Sequence, residues 1–387
     1  MYSAHSHGWM IAHRVRVRLY RRALTQAVKP GAVVVDIGTG TGLLALFSCK
    51  LGARKVFAIE TGEIIELARQ IAKDNGYADR IEFIRDLSTR VELPERADVI
   101  VADLHGAIPL YQGSLASLID ARKRFLAPGG IMLPRKDRIW TAAVNLPRRL
   151  YAGAVSVWQD GRWGVDLSAG SRFGTDWQFN ASLTPRRIVT DAACVATLNY
   201  YELQSPSVST EVVLKPTRRT RCNGYGFWFD SELAEGVFMS TAPGHPRTEY
   251  AGEIYPNIFA PWPGAVEIDA EDEIHASLRF NAVKDDYVWQ WNTRIEAGDS
   301  RRPKAEFRQS NFNSRFLSAA DLHKRAPTHR PRLNRNGIIA RTILELMGDG
   351  FTHAELARIV TQRFPQEFSD EKEALQTAAD LAERFCD

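Results

Sequence analysis

Residues 33–60 read VVVDIGTGTGLLALFSCKLGARKVFAIE. A β-branched run enters a turn holding Gly38, Thr39, Gly40 and Gly42, a helical pattern follows, and a second β-branched run ends on Glu60 and Thr61. That order is the grammar of a βαβ nucleotide-binding unit. The glycines let the backbone turn sharply and approach a ligand with no Cβ in the way. An acid closing the second strand is placed to accept hydrogen bonds from ribose hydroxyls. Asp36 directly before the turn, the D-x-G-x-G-x-G spacing and the acid at ribose distance favour S-adenosylmethionine over a dinucleotide, with S-adenosylhomocysteine as the product.

Outward from this unit, the chain of 387 residues is longer than one core holds, so two or three domains are expected. No apolar run is long enough to cross a bilayer, and an N-terminus carrying His5, His7, Arg14, Arg16 and Arg18 has no signal-peptide core. No membrane partner and a cytoplasmic home are predicted. Cys49, Cys194, Cys222 and Cys386 are scattered without C-x-x-C spacing, which suggests neither a zinc site nor a disulfide framework and predicts reduced, mostly buried thiols. The net charge of +4 is uneven: Arg301 to Arg335 holds ten Lys/Arg against Glu306 and Asp321. Such a run is expected to be a solvated linker, or to steer an acidic peptide or nucleic acid. Nucleic acid is the less favoured partner.

Residues 1–30 carry Met10, Val17 and Leu24 on one stripe and predict a helix ending at Lys29-Pro30-Gly31. Glu63 to Asn75 predicts a helix, and 80–86 a short strand whose end places Asp86, Leu87 and Ser88 near an adenine. Residues 97–103, apolar almost throughout, predict a strand buried on both faces that delivers Asp103 and then His105. Parallel sheets place their chemistry at the carboxyl ends of strands, where Gly38, Glu60, Asp86 and Asp103 all fall. A helix from Gly113 to Phe125, a turn at Ala127 to Gly130 and a strand from Ile131 complete a domain spanning residues 1–137. From about Arg138 the period becomes two, as in Ile274, Ala276, Leu278, Phe280 and then Tyr287, Trp289, Trp291, so 138–300 is predicted to be an all-β domain. Residues 150–186 interrupt it with glycine and tryptophan. They are an exposed arm with aromatic anchors or a long disordered loop, and Trp158, Trp163 and Trp177 favour burial.

After a basic linker at 301–335, residues 336–387 predict three amphipathic helices, the second opened by a capping box, Thr352-x-x-Glu355. With no chemical cluster of its own, this segment is expected to dock a partner.

Residues 5–297 resemble the protein arginine methyltransferase family. VVVDIGTGTGLLALFSCKLGARKVFAIE is similar to that family's first two cofactor motifs, ADVIVADLHGAIPLYQ to its substrate loop, FLAPGGIMLP to its next strand entry and GVFMSTAPGHPRTEYAGEIYP to its barrel loop. The resemblance implies a Rossmann-like methyltransferase domain, then an antiparallel β-barrel with a dimerisation arm, and a homodimer. It implies that Arg16 receives the cofactor's carboxylate and that Met10 lines the methyl-transfer site. The family's two substrate-clamping glutamates are Asp103 and Gln112 here, one shorter and one neutral, so the bidentate fork for a planar cation is missing. The barrel-loop histidine is Glu249 and its usual aspartate partner is His13, which predicts an exchanged His13 to Glu249 contact. The chain begins too late to supply the family's tyrosine-rich helix over the cofactor, so a shorter cover, or one from elsewhere, is expected. The last fifty or so residues resemble the small helical peptide-binding domains of ribosomal natural product pathways; an unspecific interaction module is the alternative.

These readings predict an N-methyltransferase acting on a peptide or protein, with a ribosomal precursor peptide as one candidate partner and an acceptor other than a standard arginine. Asp103 would orient the attacking nitrogen or favour its deprotonation, His105 would be a spare base or polar lining, and Gln112 would suit a neutral acceptor. Methylation of a small amine or amino acid, and a cofactor-binding pseudoenzyme that scaffolds a partner, are the rivals.

Overall fold

The computed structural model describes residues 3–150, 152, 155–298, 303–315 and 318–386. The chain divides into two compact units, Met1–Arg315 and Phe316–Asp387.

The first unit opens with α1 (Ala4–Ala12) and α2 (Arg14–Ala27). The single helix expected over residues 1–30 is thus broken at His13, which turns out of helical geometry (φ −74°, ψ 88°) and caps α2 by accepting the Arg16 N–H at its Nδ1, 3.2 Å away. A side chain thereby satisfies one of the orphan donors of the new helix. Then follow β1 (Val33–Ile37), α3 (Leu43–Lys50), β2 (Lys55–Ile59), α4 (Ile64–Asp74), β3 (Ile81–Ile84), β4 (Ala97–Ala102), α5 (Ser114–Arg124) and β5 (Leu126–Leu133). The five strands form a parallel sheet in the order β3-β2-β1-β4-β5. Every residue of β1 is buried, as expected of a central strand covered on both faces. The expected turn at Ala127 to Gly130 lies inside β5. There the pairing jumps from Ala97 with Leu126 to Val99 with Ile131, so the Pro-Gly-Gly segment bulges from an otherwise continuous strand.

The all-β region comprises β6 (Lys136–Val144), the short α6 (Ser171–Thr175), β7 (Phe179–Ala181), β8 (Ala193–Asn199), β9 (Val208–Leu214), β10 (Thr220–Ala234), β11 (Val237–Ser240), β12 (Asn257–Ile268), β13 (Glu273–Val283), β14 (Asp286–Glu296) and β15 (Pro303–Ser310). These build one antiparallel sheet in the order β7-β12-β10-β6-β8, with β11 on β10, and a second in the order β15-β14-β13-β9. The two meet through aromatic contacts: Phe227 of β10 lies edge-on to Phe280 and Trp289, and Trp262 of β12 approaches Phe307 of β15. The period of two expected for β13 and β14 is realised, with Leu278 opposite Trp291 and Phe280 opposite Trp289, all four buried. The parallel-sheet domain and the all-β domain share one continuous apolar core.

Three expectations are corrected. Much of the basic run is not linker: Pro303–Ser310 is β15, pairing with β14, and Ala319–Lys324 is α7. Ala305, Phe307 and Gln309 turn inward while Lys304, Glu306 and Arg308 face outward, so the alternation was masked by its charged half. Arg301 and Arg302 lie outside the described residues. In the arm, whose residues 151, 153 and 154 also lie outside them, Trp158 packs over Gly170 but Trp163 is 73% exposed. The arm is tied down instead by Gln309, which donates to the Thr175 carbonyl at 2.7 Å, and by Ser314, which donates to that of Phe173 at 2.7 Å. Of the cysteines, Cys49 and Cys222 are buried and Cys194 and Cys386 exposed.

The second unit contains α7 and then α8 (Arg335–Gly348), α9 (His353–Arg363) and α10 (Glu371–Phe385). Its small core joins Ile339 and Ile343 of α8 to Leu356 and Val360 of α9 and Ala374 and Ala378 of α10. The capping box forms in both directions between Thr352 and Glu355. Thr352→Ala is therefore expected to lower the stability of this unit by about 1 kcal/mol, measured by urea unfolding.

Candidate active site

The loops after β1, β2, β3 and β4 converge at one end of the parallel sheet. Gly38, Gly40 and Gly42 have φ of 70°, 55° and 79°, a region that L side chains rarely enter. A Cβ on Gly38 would come within 2.6 Å of the Leu104 side chain, and one on Gly40 within 2.9 Å of the His7 ring. His7 belongs to α1, so a nine-residue helix supplies the cover over the glycine turn. Burial lowers the His7 pKa, against an opposing pull from Glu60.

Asp36 is buried, its Oδ2 accepting from the Thr39 hydroxyl at 2.6 Å and from the Ala45 N–H at 3.0 Å. Its Oδ1 has no hydrogen-bond partner among the described residues, and burial raises its pKa to about 7 despite those two donors. Glu60 accepts from the Gly40 N–H at 3.0 Å and the Gly62 N–H at 2.9 Å, with the Thr61 hydroxyl at 3.5 Å. Past β3, Asp86 accepts from the Leu87 N–H at 2.7 Å; Leu87 is 40% exposed and Ser88 is buried. A glycine cradle that side chains would fill, an acid at the end of the second strand and an exposed apolar residue past the third fit S-adenosylmethionine.

Asp103, at the end of β4, is the hub of a buried network. Its Oδ2 pairs with the Arg16 guanidinium, and its Oδ1 accepts from the Tyr255 hydroxyl at 2.5 Å and faces His105 Nδ1 at 3.1 Å. The Arg16 guanidinium also donates to the Tyr255 oxygen at 3.0 Å and to the Met10 carbonyl at 3.2 Å. Burial opposes ionisation of Asp103, but Arg16 first, then His105 and Tyr255, hold its carboxyl well below the usual range. The other nitrogen of His105, Nε2, lies 3.2 Å from Asp137 Oδ2, which in turn accepts from the Tyr200 hydroxyl at 2.5 Å. Burial alone would lower the His105 pKa; Asp137 and Asp103 together raise it to about 10.

Several sequence expectations change here. His105 is not a spare base, because an imidazole held protonated between two carboxylates has no lone pair to offer. The His13 to Glu249 contact does not form: His13 Nε2 lies 3.8 Å from Glu253, while Glu249 pairs with His245 at 3.1 Å. The loop between β11 and β12 turns Glu249 onto its own i−4 neighbour and presents the next acid instead. Gln112 is exposed, with a positive φ of 45°. Arg16, expected to receive the cofactor's carboxylate, is engaged by Asp103 and by the Met10 carbonyl. Tyr255, Asp137, Tyr200 and Glu253 were missed. Asp137 on β6 and Tyr200 just past β8 carry no local signal, while Glu253 and Tyr255 lie in the barrel loop GVFMSTAPGHPRTEYAGEIYP, which marked the segment but not these two side chains.

Because His105 is protonated more strongly when folded than at its ordinary value of 6.5, its contribution to stability is complete below about pH 6.5 and fades as the pH rises towards 10. The thermal midpoint of the protein is expected to fall over that window, and His105→Gln to flatten the fall. Calorimetry at stepped pH checks this.

A family profile described as Ribosomal protein L11 methyltransferase (PrmA) matches residues 18–143. Protein arginine N-methyltransferase 6 of Danio rerio is 35% identical over 259 residues, covering 63% of this chain and 74% of the relative. Probable protein arginine N-methyltransferase 6 of Arabidopsis thaliana is 32% identical over 286 residues, covering 71% of this chain; the chain spans only 62% of that relative's length. Among solved structures, Arabidopsis thaliana protein arginine methyltransferase 10 superposes with a TM-score of 0.68 at 24% identity, over 78% of this chain and 95% of its own. The Trypanosoma brucei protein arginine methyltransferase 1 enzyme–prozyme heterotetramer with AdoHcy gives 0.69 at 22% identity, over 79% and 96%. At these identities the two structures speak to the fold. Glycine cradle, closing acid, β4 carboxylate and barrel thus occur in the expected order in a chain with a 35% identical relative, and the chain belongs to the protein arginine N-methyltransferase family of S-adenosylmethionine-dependent methyltransferases.

Proposed function

We propose that this chain is an S-adenosylmethionine-dependent N-methyltransferase whose acceptor is a nitrogen of a peptide or protein other than a standard arginine. The observation that carries the reading is the state of the two positions expected to clamp a guanidinium. Asp103 already has Arg16, Tyr255 and His105 on its oxygens, and Gln112 is neutral and exposed.

When bound, S-adenosylmethionine supplies an electrophilic methyl group. The chain's task is to align an acceptor lone pair and keep water out. Glu60 would hold the ribose hydroxyls, with Thr61 beside it; Gly38, Thr39, Gly40 and Gly42 bring backbone close; Asp86, Leu87 and Ser88 would border the adenine. Met10 and Arg16 would close the amino-acid end, and Asp36 stiffens the turn through Thr39 and Ala45. A carboxylate held so far below its usual range is a weak base, so Asp103 would take no proton, and it would orient the nitrogen only by exchanging one of its present donors for the acceptor's N–H. Gln112 would present its amide to the acceptor at the rim. His13, paired with Glu253, and Glu249 would line the barrel side.

The second unit would hold the substrate chain, with a ribosomal precursor peptide as one candidate. The exposed Trp163 and Val165 on the arm support a homodimer. The lost glutamates favour one rival, a pseudoenzyme that binds cofactor and scaffolds a partner. Incubation with labelled S-adenosylmethionine separates them: label is expected on a peptide, and tight cofactor binding with label on nothing would support the rival. Deleting residues 336–387 is expected to weaken peptide turnover at least tenfold while leaving cofactor affinity intact; unchanged turnover would remove the docking role.

A further inference from the structure

His105 lies where the two folded domains of the first unit meet, with one face stacked on Phe229 (ring centroids 4.9 Å apart) and its edge towards Tyr255. Its Nδ1 is 3.1 Å from Asp103 and its Nε2 is 3.2 Å from Asp137, with side chains 2%, 6% and 0% exposed respectively. A neutral imidazole has a single N–H and would turn a lone pair towards one of the two carboxylates; only the imidazolium donates to both. The other polar groups facing this cluster among the described residues are the Ser231 hydroxyl, 3.5 Å from Nε2, Tyr200 on Asp137, and Arg16 and the Tyr255 hydroxyl on Asp103. The charges cancel within it: Arg16 and His105 against Asp103 and Asp137.

We propose that His105 is a specificity-determining residue: held doubly protonated between Asp103 and Asp137, it occupies beside Asp103 the positive charge that a cationic acceptor would bring, so the pocket takes an uncharged nitrogen of the imidazole type. Asp137 and Tyr200 act through it as positioning residues. This rests on the methyltransferase reading and deepens it. A guanidinium beside Asp103 would add a charge to a cluster that is already neutral among the described residues, a costly state beside side chains this deeply buried. An imidazole nitrogen asks only for hydrogen bonds, which the amide of Gln112 would provide without displacing a donor from Asp103. The acceptor's lone pair forms the N–CH3 bond as the S–CH3 bond breaks, its electron pair staying on sulfur. The acceptor's N–H proton then goes to water, since neither His105 nor Asp103 is able to take it.

The test uses the full chain with 15N-labelled histidine. Long-range 15N–1H spectra are expected to show His105, assigned by its loss in His105→Gln, with both nitrogens protonated from pH 6 to at least pH 8.5. In Asp137→Asn the same signal should titrate at lower pH. Tyr200→Phe, which keeps the packing and removes one hydrogen bond from Asp137, stands in if that variant does not fold. A neutral His105 at pH 7 in the wild-type protein overturns the proposal. In parallel, labelled S-adenosylmethionine is offered with two peptide pools differing only in a central histidine or arginine. Wild type is expected to favour the histidine pool at least tenfold, and His105→Gln to shift that ratio at least tenfold towards arginine. Preference for arginine in the wild type, an unshifted ratio, or label in neither pool despite uptake of S-adenosylhomocysteine overturns the acceptor class. Absence of any cofactor uptake sinks the methyltransferase reading instead, and the imidazole spectrum still decides the charge.

Discussion

Asp103→Asn is expected to lower the unfolding free energy by about 3–5 kcal/mol, the usual cost of stranding one partner of a buried ion pair, and to reduce methyl transfer by about two orders of magnitude through loss of acceptor positioning. Asparagine matches aspartate in size, so the loss is electrostatic. Arg16, with its side chain 11% exposed, and His105, with 2%, would both face an amide in place of a shared carboxylate. Water cannot take its place at that depth. Arg16→Lys is the companion variant: a point charge replaces the guanidinium fork that now serves Asp103, Tyr255 and the Met10 carbonyl together, so the loss should be smaller but of the same sign. Urea unfolding followed by fluorescence gives the first quantity, and label transfer from S-adenosylmethionine the second. A stable Asp103→Asn protein with wild-type turnover would show that the carboxylate neither holds the network together nor touches the acceptor.

Glu60→Ala should weaken binding of S-adenosylhomocysteine by about a hundredfold. Two ribose hydroxyls donating to one carboxylate are charge-assisted bonds worth about 1.5–3 kcal/mol each, part of which water replaces at this half-exposed position. In this structure Glu60 also accepts the Gly40 and Gly62 N–H groups, so it shapes the turn that it would serve. Glu60→Gln separates the two roles. The amide retains one acceptor and the side chain's shape, and a loss of about tenfold is expected if ribose recognition rests on charge. Titration calorimetry reads both variants, and unchanged affinity in either would move the ribose elsewhere.

How far the site was legible follows from the range of the interactions involved. The glycine turn was readable because positive φ at Gly38, Gly40 and Gly42 is a local demand that a residue type can announce. The buried strands showed as apolar runs, and β13 and β14 as alternation, for the same reason. The strand β15 was hidden because Lys304, Glu306 and Arg308 face outward and swamp the three inward positions between and beyond them. The break at His13 was hidden because a histidine cap is rare, and the stripe of apolar residues runs across it without a fault.

The cofactor loop with its closing acid, the alternating strands β13 and β14 and the capped C-terminal helices were determined by sequence alone, since each depends on neighbours a few positions away; the order of strands within each sheet was decided by pairings far apart in the chain. Tertiary structure decided what charges the active site carries. Asp103 meets Tyr255 across a separation of 152 residues, and Tyr200 reaches Asp137 across 63. No pattern in the chain forces Glu253 rather than Glu249 to face His13. A buried charge is settled by whichever groups the fold brings within about 3–4 Å of it, because at low effective dielectric those few contacts outweigh everything farther along the chain. For that reason His105, plausible as a base in isolation, is an imidazolium in place.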